Sequence, residues 1–329
     1  MNTRAFTEEH IKKKILDNFV EYAKIFTPFQ SDFLSGLYNR YKCLDNGSIV
    51  LYFAKKTQQA ILRKKDYDLN YDLSFKNFWL NHGHVKIPPT TILNIAKDIN
   101  LPKETTRRKL SELTKQRILS KKNKHILWSP SEEYKENYNQ FVYQEIKNMA
   151  KLTKFVTDKI DLNFSTEEII EEYKKRFSFY WFHYLDLQLK WMNMWKLRFN
   201  DLEIPLIFLQ FAVLLSSRLK RYNIISHNKL FETSDVVVTG PGAQNVNVSV
   251  SATSISEVTG IPRATCIRKL NQMVKQKILT QDKNTKRFFI IPEALSKNLV
   301  SKELTEKATE IYSKFYSISI NSLKTKTSH

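Results

Sequence analysis

The spacing of apolar residues in the second half of the chain predicts a helix that begins near Arg263. Apolar residues recur there at the i, i+4, i+7 and i+8 spacing of a helix that lies on a core. The opposite face of the same helix carries Arg263, Ala264, Ile267, Arg268, Asn271 and Lys275. The inward stripe consists of Cys266, Leu270, Met273, Val274 and Ile278.

The residues ahead of this helix predict a shorter helix and a tight turn. The stretch SATSISEVTG (251–260) places Ser254 as an N-cap with Glu257 at the capping-box spacing. Gly260 tolerates the left-handed conformation that often ends a helix. Pro262 fits the start of the next helix, since its missing N–H costs nothing there. A short helix, a turn and a longer helix with a basic outer face together predict a helix-turn-helix.

A β-hairpin is predicted directly after this helix-turn-helix. KILTQDKNTKRFFIIPE (277–293) has two apolar stretches around a polar Asp-Lys-Asn-Thr turn. In the first half, RILSKKNKHILWSP (117–130) has the same pattern with a turn two residues shorter. Both hairpin tips are cationic, which indicates a pair of basic wings.

The chain contains an internal duplication with an offset of 160 residues. When residues 95–119 are aligned with 255–279, ten of the 25 pairs are identical, and the shared residues include a proline, a threonine and an Arg-Lys-Leu run. Asn100 stands where the second copy has Gly260, and asparagine also tolerates the left-handed conformation. The apolar segments 48–65 and 203–221 predict a long helix ahead of each copy.

These patterns predict a mainly α-helical protein of two tandem winged helix-turn-helix units with small β-hairpin wings, joined and flanked by long helices. We place the first unit at 1–130, a polar helical linker at 131–165 and the second unit at 166–329.

The run ISEVTGIPRATCIRKLNQMVKQKIL resembles the winged helix-turn-helix of bacterial transcription regulators of the IclR, MarR and Crp kind. The similarity covers about 50 residues in each half and is specific for the fold. It implies a bacterial DNA-binding protein whose second helix enters the major groove. It does not point to one regulator family.

The resemblance also implies which side chains contact DNA. Threonine and arginine residues shared by the copies, Thr105/Thr265 and Arg108/Arg268, are candidates for phosphate binding, because backbone contacts carry no sequence information. Positions that differ between the copies are candidates for reading bases, and the wings are candidates for backbone or minor-groove contacts. The full predicted interface comprises Lys103, Thr105, Arg107, Arg108, Ser111, Lys122, Lys124, Arg263, Thr265, Ile267, Arg268, Asn271, Lys275, Lys286 and Arg287.

The charge of the chain favours the same partner. Lys and Arg total 53 against 33 Asp and Glu among 329 residues, a formal net charge of +20. Such an excess attracts anionic partners, of which nucleic acid and acidic membrane are the main classes. Residues 101–125 carry nine basic side chains against two acidic ones, and 261–287 carry eight against one. Positive charge therefore concentrates on the duplicated segments and favours double-stranded DNA, with no membrane partner.

Within DNA binding, we expect a transcription regulator that acts as a pseudo-dimer through its two recognition helices. A replication initiator of plasmid or phage type is an alternative, and a winged-helix scaffold for protein interactions is another. The aromatic helix predicted at 177–199 belongs in the core, at a homodimer interface or beside a ligand pocket. The identity of any small-molecule effector stays open.

The sequence indicates neither an enzyme nor a cofactor. His82 and His84 fit one face of a strand but have no further ligand nearby, so no metal site is expected. Gly240 and Gly242 lack the remaining residues of a phosphate-binding loop and fit a hairpin turn. The carboxylates Glu168, Glu171 and Glu172 are expected on a helix surface without a catalytic partner.

The cysteines and the N-terminus indicate the compartment. The two cysteines, Cys43 and Cys266, are far apart in sequence and fit a reducing environment. The N-terminus has charged residues where a signal peptide needs an apolar stretch. The apolar run IPLIFLQFAVLL (204–215) is too short to span a bilayer and predicts a buried helix. We expect a cytoplasmic, nucleoid-associated protein.

Overall fold

A computed structural model describes residues 5–122, 125–221, 248–291 and 302–327, and this part of the chain is mainly helical with a few short strands. The helices are α1 (Glu8–Asp17), α2 (Phe19–Tyr41), α3 (Leu44–Tyr67), α4 (Phe78–His84), α5 (Ile92–Asp98), α6 (Lys103–Lys115), α7 (Glu132–Asp158), α8 (Thr166–Lys175), α9 (Phe177–Phe199), α10 (Glu203–Arg221), α11 (Ala252–Thr259), α12 (Arg263–Lys275) and α13 (Lys302–Thr327). The strands are β1 (Leu119–Lys122), β2 (His125–Trp128), β3 (Ser249–Val250), β4 (Leu279–Gln281) and β5 (Phe288–Ile290).

The chain forms two compact units that do not follow its linear order. The first compact unit combines residues 1–8, 45–200 and 314–329, and the second combines 9–44 and 201–313. This division differs from the predicted boundaries after 130 and 165. The predicted linker is instead the long helix α7, whose apolar side is buried within the first compact unit at Tyr138, Val142, Ile146 and Met149.

The first compact unit has an aromatic core built around α9. Trp181 is fully buried, and its indole N–H donates to the hydroxyl of Tyr138 on α7 at 2.9 Å. On α8, the buried hydroxyl of Tyr173 lies 2.7 Å from that of Thr153. Of the three predicted environments for the aromatic helix, the structure therefore supports core packing, because its large rings are enclosed by the chain itself. The buried residues of α9 are Phe177, Ser178, Tyr180, Trp181, Tyr184, Leu185, Leu187, Gln188, Trp191, Met192, Met194 and Lys196.

The second compact unit is centred on α10, whose apolar run is buried from Ile204 to Phe211, whereas Leu214 further along the run is exposed. Buried positions surround the helix rather than lining one side, as expected of a helix that is covered on several faces. α10 packs against α2 from the N-terminal part of the chain, and Gln210 donates to the hydroxyl of Ser31 at 2.9 Å. It also contacts α11 and α12. The long helix from early in the chain thus completes the core around the second copy of the duplication.

Several local predictions need correction. The N-cap of α11 is Ser251, whose hydroxyl accepts from the Ser254 backbone N–H at 3.0 Å, so that helix starts three residues before the predicted Ser254 cap. His82 and His84 lie on helix α4 rather than on a strand. Glu172 is buried and not on the surface, because it lies on the buried side of α8 with Ile169 and Tyr173. The predicted turn at Gly240 and Gly242 lies outside the described residues.

In the described ranges, none of the helices combines the length and apolar character that crossing a membrane requires.

Candidate nucleic-acid interface

The two copies of the duplication have the same order of elements. The first repeat is α5, a turn, α6 and the hairpin β1–β2, and the second is α11, a turn, α12 and the hairpin β4–β5. α6 spans Lys103–Lys115 and α12 spans Arg263–Lys275, so both ends of the helix differ by the 160-residue offset found in the sequence. Each copy is therefore a helix, a turn, a 13-residue helix and a hairpin.

The turn between the helices has a left-handed residue at the same position in both repeats. Asn100 and Gly260 are left-handed, with φ of 51° and 74°. A proline then occupies the N-cap position, and its carbonyl accepts the first helical hydrogen bond, from Thr106 N–H at 2.9 Å in one copy and from Cys266 N–H at 3.0 Å in the other. The predicted roles of the glycine and prolines are confirmed. Asparagine can replace glycine because it tolerates positive φ.

The inward faces of α6 and α12 are buried as their patterns predict. Thr106, Leu110 and Leu113 are buried in the first repeat, as are Cys266 and Leu270 at matching positions in the second. Burial raises the pKa of the Cys266 thiol to about 11, so this cysteine stays protonated at neutral pH. These residues anchor each helix through its inner face.

The end of each helix leads into the hairpin through a second left-handed residue. Arg117 and Lys277 have φ of 57° and 56°, and the next residue, Ile118 or Ile278, donates back to the helix carbonyl five residues earlier. Leu119 pairs with Trp128 and Leu279 pairs with Ile290, so the first hairpin is two residues shorter, as predicted.

The second repeat has an additional strand. β3 pairs with β5, which gives a three-stranded sheet in the order β3-β5-β4. At the equivalent position of the first repeat, the sequence has Pro89 and Thr90. Proline has no N–H to donate to a ladder, which explains why this part of the described chain has a two-stranded sheet.

The predicted DNA-contacting residues of α6 and α12 lie together on the outer face of each helix. Lys103, Arg107, Arg108 and Ser111 are exposed on α6, and Thr105 is half-buried. On α12 the half-buried members are Thr265 and Ile267, and the exposed ones are Arg263, Arg268, Asn271 and Lys275. Each repeat therefore presents a continuous basic surface of helix.

Three of the predicted arginines already have partners within the chain. Arg107 forms an ion pair with Glu104 one turn earlier on α6, with Nη2 and Oε1 separated by 2.6 Å. Arg263 donates from Nε to the hydroxyl of Thr253 on α11 at 3.1 Å. Arg287 donates to the hydroxyl and carbonyl oxygens of Ser249 at 2.8 Å and 3.0 Å, which ties β5 to β3. Arg268 has no hydrogen bond or ion pair with any described residue.

Two identical lysines of the duplication point toward the protein rather than outward. Lys269 is buried on α12 and forms an ion pair with Asp201, whose other carboxylate oxygen accepts from the Ile204 N–H at the start of α10. Lys109, its counterpart on α6, pairs with Glu112 at 3.1 Å. Lys269 therefore joins α12 to the start of α10, whereas the ion pair of Lys109 with Glu112 lies within α6 itself.

The wing residues are described in part. Lys286 is exposed at the tip of the second hairpin with φ of 56°. Asp282 organises that tip by accepting from the backbone N–H groups of Asn284 and Thr285 at 3.0 Å and 2.6 Å. In the first hairpin, Lys122 lies on β1 but its side chain is not described, and Lys124 lies outside the described residues.

The partners of the arginines differ in how far the sequence alone reveals them. The i, i+3 spacing of Glu104 and Arg107 is visible in the sequence and signals a helical ion pair. The contact of Arg287 with Ser249 joins residues 38 positions apart and has no sequence signal. The same holds for Lys269 and Asp201, because only the packing of α12 on α10 brings them together.

Replacing Gly260 with alanine is expected to destabilise the protein by about 1–2 kcal/mol, because an alanine at positive φ is strained. The new Cβ would also overlap Oδ1 of Asn39, an exposed side chain that can move aside. Urea unfolding followed by circular dichroism measures the loss. Asn100→Gly is the matched control and should change stability little, since glycine accepts the same turn. A Gly260→Ala variant with unchanged free energy of unfolding would contradict the left-handed conformation at this position.

Comparison with family models, curated proteins and solved structures gave no match to this chain. Among the residues that the structure describes, no group of three or more His, Cys, Asp or Glu side chains is placed to hold a metal ion. Each repeat has a helix with basic side chains on its exposed face, followed by a hairpin.

Proposed function

We propose that the protein binds double-stranded DNA sequence-specifically through two winged helix-turn-helix units. The observation that carries the proposal is the repeated geometry: α6 and α12 have equivalent bounds and equivalent turns, and each exposes a basic face. In such a unit the second helix lies in the major groove and its N-terminal part faces the base edges.

In this arrangement the shared exposed arginines bind phosphate. Arg108 and Arg268 are one 160-residue offset apart, and backbone contacts need not differ between two half-sites. Residues that differ between the helices read bases: asparagine suits adenine and arginine suits guanine. The hairpins contact the DNA backbone or the minor groove, in the second hairpin through Lys286. Arg287 acts mainly within the sheet, because Ser249 occupies its guanidinium.

A protein with two recognition helices in one chain can bind as a pseudo-dimer. Because the two outer faces differ, the expected site is bipartite and asymmetric, and transcriptional regulation is the role we propose. Recovery of bound genomic fragments tests that role. Enrichment of promoter regions supports a regulator, whereas a single enriched replication origin would replace it with an initiator.

Arg268→Ala is expected to weaken binding to every duplex and to lower the slope of log affinity against log salt by about 1, because one phosphate contact is lost. Arg263→Ala should instead relax the preference at one base position and leave the slope nearly unchanged. Fluorescence anisotropy with labelled duplexes at several salt concentrations separates the two effects.

Lys13→Ala is the matched control for loss of one positive charge, because Lys13 is an exposed lysine of α1 in the same compact unit. It should leave affinity and salt dependence almost unchanged. If Arg268→Ala and Arg263→Ala both bind like the unchanged protein, α12 is not the helix in the groove. If the unchanged protein is not retained on any duplex at moderate salt, a protein-interaction scaffold replaces the DNA-binding proposal.

A further inference from the structure

Glu104 and Arg107 form a bidentate pair on the outer face of α6. The Arg107 Nε lies 2.9 Å and 3.1 Å from the two carboxylate oxygens of Glu104, and Nη2 lies 2.6 Å from Oε1. Both side chains are mainly exposed, at 75% for Glu104 and 66% for Arg107. A carboxylate is thus placed at the start of a helix whose surroundings are otherwise basic.

The pair is not needed to form the helix. At the equivalent positions α12 has Ala264 and Ile267, and it has the same length, the same proline N-cap and the same glutamine C-cap as α6. Exposed ion pairs at i, i+3 spacing also contribute little to stability. The second repeat therefore serves as an internal control, because its helix forms without this pair.

The geometry of the pair leaves the arginine able to bind a base. A guanidinium has five N–H donors in a planar fork. Glu104 occupies the edge formed by Nε and Nη2, so the two N–H groups of Nη1 and the second N–H of Nη2 stay available. That remaining edge matches the O6 and N7 acceptors of guanine in the major groove.

The carboxylate also restricts what Arg107 can bind. The hydrogen bond from Arg107 lowers the pKa of Glu104, which is therefore ionised at neutral pH. A negative charge beside the guanidinium repels phosphate, so it disfavours a nonspecific backbone contact by this arginine. The pair also holds the guanidinium in one orientation. Arg107 therefore loses less conformational entropy when it binds a base.

We propose that Arg107 reads a guanine in the half-site of the first repeat, that Glu104 is the residue that positions it, and that Ile267 contacts a thymine methyl at the equivalent position of the other half-site. The inference rests on the proposed DNA binding and specifies it further. It specifies how the two half-sites differ: one has a guanine where the other has a thymine.

Selection of bound duplexes from a randomised pool, with the full chain, tests the inference. The unchanged protein should enrich a bipartite site with guanine in one half and thymine at the matching position of the other. Arg107→Ile should replace that guanine by thymine and reduce binding to the original site roughly tenfold to hundredfold. The double variant Ala264→Glu/Ile267→Arg should transfer the guanine preference to the second half-site.

Variants at Glu104 separate positioning from charge. Glu104→Ala should raise affinity for random duplexes while weakening discrimination at the guanine position, and Glu104→Asp should retain part of the discrimination. Because α12 folds with alanine and isoleucine at these positions, thermal unfolding should be unchanged in the α6 variants. A selected site that is identical for the unchanged protein and Arg107→Ile would overturn the inference. Absence of salt-sensitive binding by the unchanged protein would remove the proposed function itself, which is a distinguishable result.

Discussion

Trp181→Ala is expected to lower the free energy of unfolding by about 3–5 kcal/mol, because it removes a large, fully buried ring and leaves a cavity. It also leaves the hydroxyl of Tyr138 without the indole N–H that it accepts from at 2.9 Å. Urea unfolding followed by circular dichroism measures the loss, and light scattering on the folded protein reports its mass.

Leu197→Ala on the same helix is the matched control, because Leu197 is 65% exposed. Its loss should cost less than about 0.5 kcal/mol. The comparison also tests the predicted homodimer. If α9 formed a dimer interface through these rings, Trp181→Ala would reduce the molecular mass and leave the stability of the separated chains nearly unchanged. We expect the opposite, since the ring is enclosed by α7 and its neighbours.

Asp201→Asn is expected to destabilise the second compact unit by about 2–3 kcal/mol, because it removes the negative charge beside the buried ammonium of Lys269. The asparagine oxygen can still accept from the Ile204 N–H, so the start of α10 is preserved and the charge is tested by itself. Chemical unfolding at constant pH measures the change.

The first repeat provides the control for this prediction. Glu112→Gln removes the partner of Lys109, but that pair is more exposed, at 13% for the lysine and 38% for the glutamate. We expect a loss below about 1 kcal/mol. The double variant Lys269→Met/Asp201→Asn should recover most of the stability, because no charge is then buried. Equal losses in Asp201→Asn and Glu112→Gln would show that burial does not distinguish the two pairs.

The two helices and the hairpin of each repeat were predictable because their signals are local. Asn100 and Gly260 mark the turns, each proline marks a helix start, and the apolar spacing of α6 and α12 identifies the buried faces. The N-cap of α11 was misplaced, since SATS offers two serines at capping distance and the sequence does not rank them. Helix α4 was also misassigned, because a seven-residue segment carries little periodicity.

Local sequence patterns were enough to predict a mainly helical chain, a repeated order of helix, turn, helix and hairpin, and a concentration of positive charge on both copies. The contacts between distant elements became visible only in the folded chain. Folding placed α2 against α10, enclosed the aromatic helix, buried Lys269 beside Asp201 and engaged Arg287 with Ser249. The two kinds of feature differ in the sequence separation of the residues that form them. Turns, caps and helical periods depend on residues a few positions apart, whereas these contacts join residues 38 or more positions apart and form only when the core closes.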